Sequence, residues 1–178
     1  MRRSLTASPA NTARALRWAL LGGVLAGTLD MLFATGFWSL RGVAPERILQ
    51  SVAAGLLGRD AFAGGGATAA LGLALHYLIA IAMAFAYAWA ARDMPLLRRR
   101  PLSLGALYGL ALFAFMSFVV VPLSASPRGG ALPASWVVCS VFAHVMLVGW
   151  PCAWFARRGW DGRWRDDRPP IAAAGAIP

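Results

Sequence analysis

Three ionisable side chains stand in stretches where almost nothing else carries charge: Asp30, His76 and His144. The two imidazoles are the chain's only histidines. If a carboxyl and two imidazoles converge, three kinds of chemistry are open to them. They can form a hydrogen-bonded tie that fixes helix register. They can form a proton-titrating site for a small transported species, since burial favours the neutral carboxyl and a nearby imidazolium favours the carboxylate. Or His76 and His144 can face one another and ligate haem or a metal ion. Against haem, the chain has no CxxCH and no second pair of histidines. The sequence also holds no HExxH, no GxSxG and no cluster of acids, which weighs against an enzyme.

The elements that carry these residues follow from composition. Of 178 residues 59% are apolar and 13% charged, and mean hydropathy is +0.61. A soluble domain of this size needs more charge on its surface, so the composition points to lipid. Four runs reach the roughly 20 residues a membrane-spanning helix needs: 16–40, 67–91, 102–123 and 135–156. The expected architecture is therefore all-α, a four-helix transmembrane domain over 16–156. It is preceded by a basic N-terminal segment, 1–15, and followed by a tail, 157–178, whose charged and proline-rich sequence predicts disorder. The first run is too long for a secretory signal and lacks an A-x-A site, so it reads as an uncleaved anchor. Between spans one and two, Pro45 suits the first turn of a helix in which Ile48, Leu49, Val52 and Leu56 share a face. That predicts a short amphipathic helix lying in the interface.

The 17 cationic residues are all arginines, and the formal charge is +10. The N-terminal segment together with Arg17, the loop between spans two and three, and the tail carry thirteen of them; the two remaining loops carry four. This bias predicts both termini on the cytoplasmic side, and it explains the charge without nucleic acid as a partner. With spans so placed, Asp30 lies ten residues from the outer end of span one. Each histidine lies nine from the outer end of its own span. At about 1.5 Å per residue all three sit about 14 Å deep, near the midplane. Asp30 also continues the stripe Gly23, Gly27, Asp30, Ala34, which directs it toward other helices.

Gly23/Gly27 and Gly105/Gly109 form GxxxG pairs at similar depth, so the expectation is a close crossing of spans one and three, with a homodimer face as the rival use. Odd spans carrying GxxxG and even spans carrying one histidine hint at a parallel duplication about the membrane normal. Cys139 and Cys152 are about 20 Å apart on one helix, too far for a disulfide, and read as small apolar fillers. Thr28, Thr35, Ser117 and Ser140 are expected to bond their own helix backbone. Pro122 and Pro151 are expected to kink spans three and four, a gating hinge being the alternative.

The order of features resembles a group of uncharacterised bacterial four-helix inner-membrane proteins, a domain of unknown function. The pieces that carry the resemblance are Gly23-Val24-Leu25-Ala26-Gly27-Thr28-Leu29-Asp30, Leu71-Gly72-Leu73-Ala74-Leu75-His76, and Tyr108-Gly109 followed by Val119-Val120-Val121-Pro122-Leu123-Ser124. His144 in the last span completes them, and together they cover about residues 20 to 155. The resemblance implies a bacterial inner membrane and brings no activity. The expected function is handling of protons or a small solute at Asp30, His76 and His144. A haem or metal carrier and a structural or assembly subunit are the alternatives. No cofactor is expected in the first reading. Four spans are few for a transporter, so it favours a homo-oligomer, joined through the glycine seams.

Overall fold

The computed structural model describes residues 9–127 and 132–161, and these form helices with no strand among them. Helix α1 runs Pro9–Ser39, α2 Pro45–Leu57, α3 Gly65–Asp93 and α4 Pro95–Arg99. Helix α5 then runs Pro101–Leu123 and α6 Ala134–Trp160. A 3₁₀ turn, Gly58–Phe62, links α2 to α3. Pro45, Pro95 and Pro101 stand at the starts of α2, α4 and α5, where the missing N–H costs nothing and φ is already helical. Helices α1, α3, α5 and α6 are each long and apolar enough to cross a membrane.

The distribution of side-chain sizes fits a bundle in lipid. Ala19, Ala26, Ala84, Ala91, Ala153 and Ala156 are at most 1% exposed, and the bulkiest fully buried side chain is Cys152. Leu32, Leu78, Leu107, Phe118, Val138 and Phe142 are each at least 60% exposed. A water-soluble bundle buries its leucines and phenylalanines. Here they face outward and alanines fill the interior, because hydrocarbon removes the incentive to bury large apolar groups and leaves close packing as the adhesive. Helix α1 packs on both α3 and α6, α3 also packs on α6, and α5 packs mainly on α6.

Several expectations need correction. The GxxxG pairs do not meet each other. A Cβ at Gly23 would lie 2.6 Å from the Ile81 Cα, and one at Gly27 would lie 3.1 Å from Ala80 and Tyr77, so this pair seats α3. A Cβ at Gly105 would lie 2.9 Å from that of Ala153, and one at Gly109 would strike the His144 carbonyl, so the second pair seats α6. A glycine pair needs small groups opposite. Ala80 on α3 and Gly149 and Ala153 on α6 supply them, so each odd span closes on the even span that follows. All four glycines are buried inside the chain and are spent there. A homo-oligomer would have to use another face.

The last span also runs beyond the expected boundary at Ala156. Residues 157–160 continue α6, Gly159 is buried against Ala15 and Trp18, and its carbonyl accepts from the Arg14 Nε at 3.1 Å. Arg157 and Arg158 lie within the helix and do not end it. Helix α1 likewise starts at Pro9, inside the expected N-terminal segment. Residues 162–178, the rest of the tail expected to be disordered, lie outside the described residues.

Helix α2 forms where expected, and its buried residues include Ile48 of the apolar set. Gln50, Ala53 and Ala54 are buried while Leu56 is 62% exposed. The cause is Gly72 on α3, where any Cβ would run into the Leu49 carbonyl. Two backbones meet there, and only small side chains fit alongside. Gln50 makes the burial tolerable by donating from Nε2 to the Gly65 carbonyl at 3.1 Å. The Ala125 N–H donates to the Gly55 carbonyl at 2.9 Å, tying α2 to the end of α5 as well.

Proline acts on α5 and α6 through a widened backbone. Met116–Val120 and His144–Gly149 are π-helical, and each stands shortly before a proline, Pro122 and Pro151. Proline removes one helical donor and crowds the carbonyl four residues back. Passing to i→i+5 bonding relieves that crowding with the loss of one turn's regularity.

Candidate functional site in the membrane core

Among side chains at mid-span depth, hydrogen bonding separates the satisfied from the unsatisfied. His76, eleven residues into α3, donates from Nε2 to the Gly27 carbonyl of α1 at 2.8 Å. That bond requires the Nε2–H tautomer or the imidazolium. At the next residue of each helix, the Thr28 and Tyr77 hydroxyls are 2.9 Å apart, and the Thr28 hydroxyl also reaches the Val24 carbonyl of its own helix at 2.9 Å. The seat cut by Gly23 and Gly27 lets α3 come close enough for both contacts. Sequence reasoning placed His76 near α1 by depth but missed Tyr77. Its signal was available, since it neighbours His76 and carries one of only three phenolic hydroxyls in the chain.

His144 sits on another seam. Its Nδ1–H donates to the Ser140 carbonyl one turn back on α6 at 2.9 Å, and its ring meets Phe113 of α5 edge-on with centroids 5.6 Å apart. The His144 backbone carbonyl, not the ring, meets Gly109. The two hairpins therefore repeat the glycine seat without repeating the use of the histidine.

Asp30 stands one turn beyond Gly27 on α1, nine residues before Ser39 and so about 14 Å from that end of the helix. It is half-buried. Among the described residues no hydrogen bond or ion pair joins Asp30 to His76, His144 or any other side chain. The three residues share a depth but are not in contact. His76 holds the α1–α3 seam, His144 braces α6 against α5, and Asp30 has no partner among the described residues. Among the described residues no three of His, Cys, Asp and Glu lie close enough to hold one metal ion.

Beyond Asp30, toward the end of α1, an aromatic group closes over the bundle. Phe33 stacks on Trp136 at 5.8 Å, Phe37 and Trp38 lie 5.0 and 5.1 Å from the same indole, and the Arg41 guanidinium lies 3.7 Å over Phe37. On the opposite side three aromatic donors are tied to backbone. Tyr108 donates to the Met83 carbonyl at 2.8 Å, Tyr87 to Leu97 at 3.1 Å and Trp160 to Ala88 at 2.9 Å. Donors that find no water in hydrocarbon turn to neighbouring carbonyls. Among the described residues Asp30 makes no bond of either kind.

No family model, curated protein or solved structure matches this chain. The site must be read from its own geometry.

Proposed function

We propose that this is a multi-pass inner-membrane protein that handles a proton, or a small solute moving with one, at Asp30. Asp30 is the working group, and the bond from His76 to the Gly27 carbonyl fixes the wall beside it. The observation that carries the reading is the unsatisfied carboxyl. A carboxyl retained only to set register would be hydrogen-bonded, as the nearby His76, Thr28 and Tyr77 side chains are, because an unpaired polar group in hydrocarbon only costs stability. An Asp kept at mid-membrane depth with no partner is kept for something it does. The arginine bias, thirteen against four, supports both termini facing the cytoplasm of a bacterial cell.

The test is proton movement in proteoliposomes with a trapped pH-sensitive dye, comparing wild type with Asp30→Asn. Flux that needs Asp30 supports the reading; equal dissipation with and without the carboxyl overturns it. A second reading, a structural or assembly subunit, is favoured by the two histidines, both of which spend a ring nitrogen on a backbone carbonyl. Under that reading Asp30→Leu destabilises the bundle. Under ours it stabilises it, by up to roughly 3 kcal/mol on insertion scales.

A further inference from the structure

At the arginine-rich end of the bundle, α1 and α3 part to leave an apolar groove of about 400 Å³ open to the side. Its α3 wall runs from Ala82 past Phe85, Ala86 and Trp89 to Arg92, and Leu16 faces it from α1. From Ala82 to Arg92 is ten residues, about 15 Å along the helix, which is half the roughly 30 Å thickness of a hydrocarbon core. The groove therefore spans one leaflet. Its deep end is lined by alanine and phenylalanine. Its shallow end has Trp89 and Trp160, residues suited to headgroup depth, and then a guanidinium. The Trp160 indole is pinned by its bond to the Ala88 carbonyl, so the wall is fixed without any occupant. Arg92 lies 5.7 Å over Trp89 and only 3.7 Å from the Asp93 carboxylate, whose side chain is 78% exposed. Such an open pair binds weakly and leaves Arg92 able to take a second anion.

We infer that this groove is a binding site for one anionic glycerophospholipid of the arginine-rich leaflet, with an acyl chain lying against Ala82–Ala86 and the phosphate at Arg92. A chain that is apolar over one leaflet's depth and negatively charged at its headgroup matches the groove end for end. A short apolar solute would leave the guanidinium unused, and a soluble phosphate would leave the apolar length empty. The inference does not depend on Asp30, which lies far along α1 from this end.

The experiment uses the purified full chain in detergent, with lipid retention read by native mass spectrometry and site occupancy by tryptophan quenching. The quenchers are phosphatidylglycerol and phosphatidylcholine with brominated acyl chains. The expected result is one phosphatidylglycerol retained per chain in preference to phosphatidylcholine, with a quenching component that disappears in Trp89→Phe. Arg92→Gln lowers phosphatidylglycerol affinity about fivefold, the weight of one cation at a membrane surface. Arg158→Gln, the same loss of charge outside the groove, leaves it unchanged. Ala86→Leu fills the groove and lowers retention of both lipids. Equal affinity for the two lipids in the wild type, or quenching that Trp89→Phe does not alter, overturns the inference and leaves ordinary annular lipid. Both wild-type readings hold even if Ala86→Leu fails to fold.

Discussion

Helix α1 contains two glycines whose replacement by alanine should have opposite effects, and the contrast tests whether the glycine seat holds the bundle together. At Gly23 an added Cβ would stand 2.6 Å from the Ile81 Cα, against about 3.4 Å for ordinary contact. The obstacle is backbone and cannot rotate aside, so α1 and α3 must separate by the difference, about 0.8 Å. A gap of that size forfeits a quarter to a half of the dispersion energy of each contact it opens. It also lengthens the bond from His76 to the Gly27 carbonyl beyond its present 2.8 Å. Overpacking of this kind costs about 1–3 kcal/mol, offset by up to about 1 kcal/mol because alanine is the better helix former. At Gly36 an added Cβ meets nothing within 4 Å, so only the propensity gain remains. Gly23→Ala should therefore lower the free energy of reversible unfolding in mixed micelles by about 1–2 kcal/mol, while Gly36→Ala leaves it equal or raises it. Two variants shifting in the same direction by the same amount would mean that the seat contributes nothing and the α1–α3 packing has been misread.

Three further outcomes follow from the same geometry. His76→Phe removes one interhelical bond while Gly27 keeps its helical donor, so unfolding should weaken by only about 0.6 kcal/mol, the average for such bonds in lipid; a loss of several kcal/mol would show that the imidazole carries more than this tie. Pro151→Ala restores a backbone donor, and the π-helical turn His144–Gly149 should relax toward α-helix, read as slower amide exchange over those residues. For orientation, with Cys139 and Cys152 replaced by alanine, a cysteine introduced by Ser126→Cys should react with an impermeant maleimide on intact cells. One introduced by Arg99→Cys should react only after the cells are opened. The reverse pattern would invert the proposed topology.

What the sequence made legible was whatever depends on length and polarity along the chain. Four spans, the short helix after Pro45 and the common depth of Asp30, His76 and His144 all come from counting residues against a fixed rise. What it hid was lateral: which face of one helix meets which face of another. Gly23/Gly27 and Gly105/Gly109 looked like partners because they share a depth. The choice was made by Ala80, Gly149 and Ala153, whose small size means little in a sequence where small residues are everywhere. The buried face of α2 was hidden for a related reason. The apolar set Ile48, Leu49, Val52 and Leu56 predicts a face in the interface, whereas at Gly72 the tight approach admits Ala53 and Ala54 beside Ile48 and leaves Leu56 outside. The π-helical turns before Pro122 and Pro151 had a visible cause, but a proline in a span is compatible with a kink, a hinge or a widened turn.

The separation of satisfied from unsatisfied polar groups gives the Asp30 question a sign as well as a size. His76, His144, Tyr77, Tyr87, Tyr108 and Trp160 each have a partner, so removing any of them should cost stability, modestly. Asp30 has none among the described residues, so its removal should return stability. The two variants of Asp30 then read different quantities. Asp30→Leu reports what the carboxyl costs the fold, and a more stable protein is the expected result. Asp30→Asn keeps size and polarity while removing the titratable proton, and lost proton movement in an unchanged fold is expected. If Asp30→Leu is instead less stable than wild type, the carboxyl has a structural partner. The unpaired group on which the proposed function rests would then be absent, whatever the flux assay records.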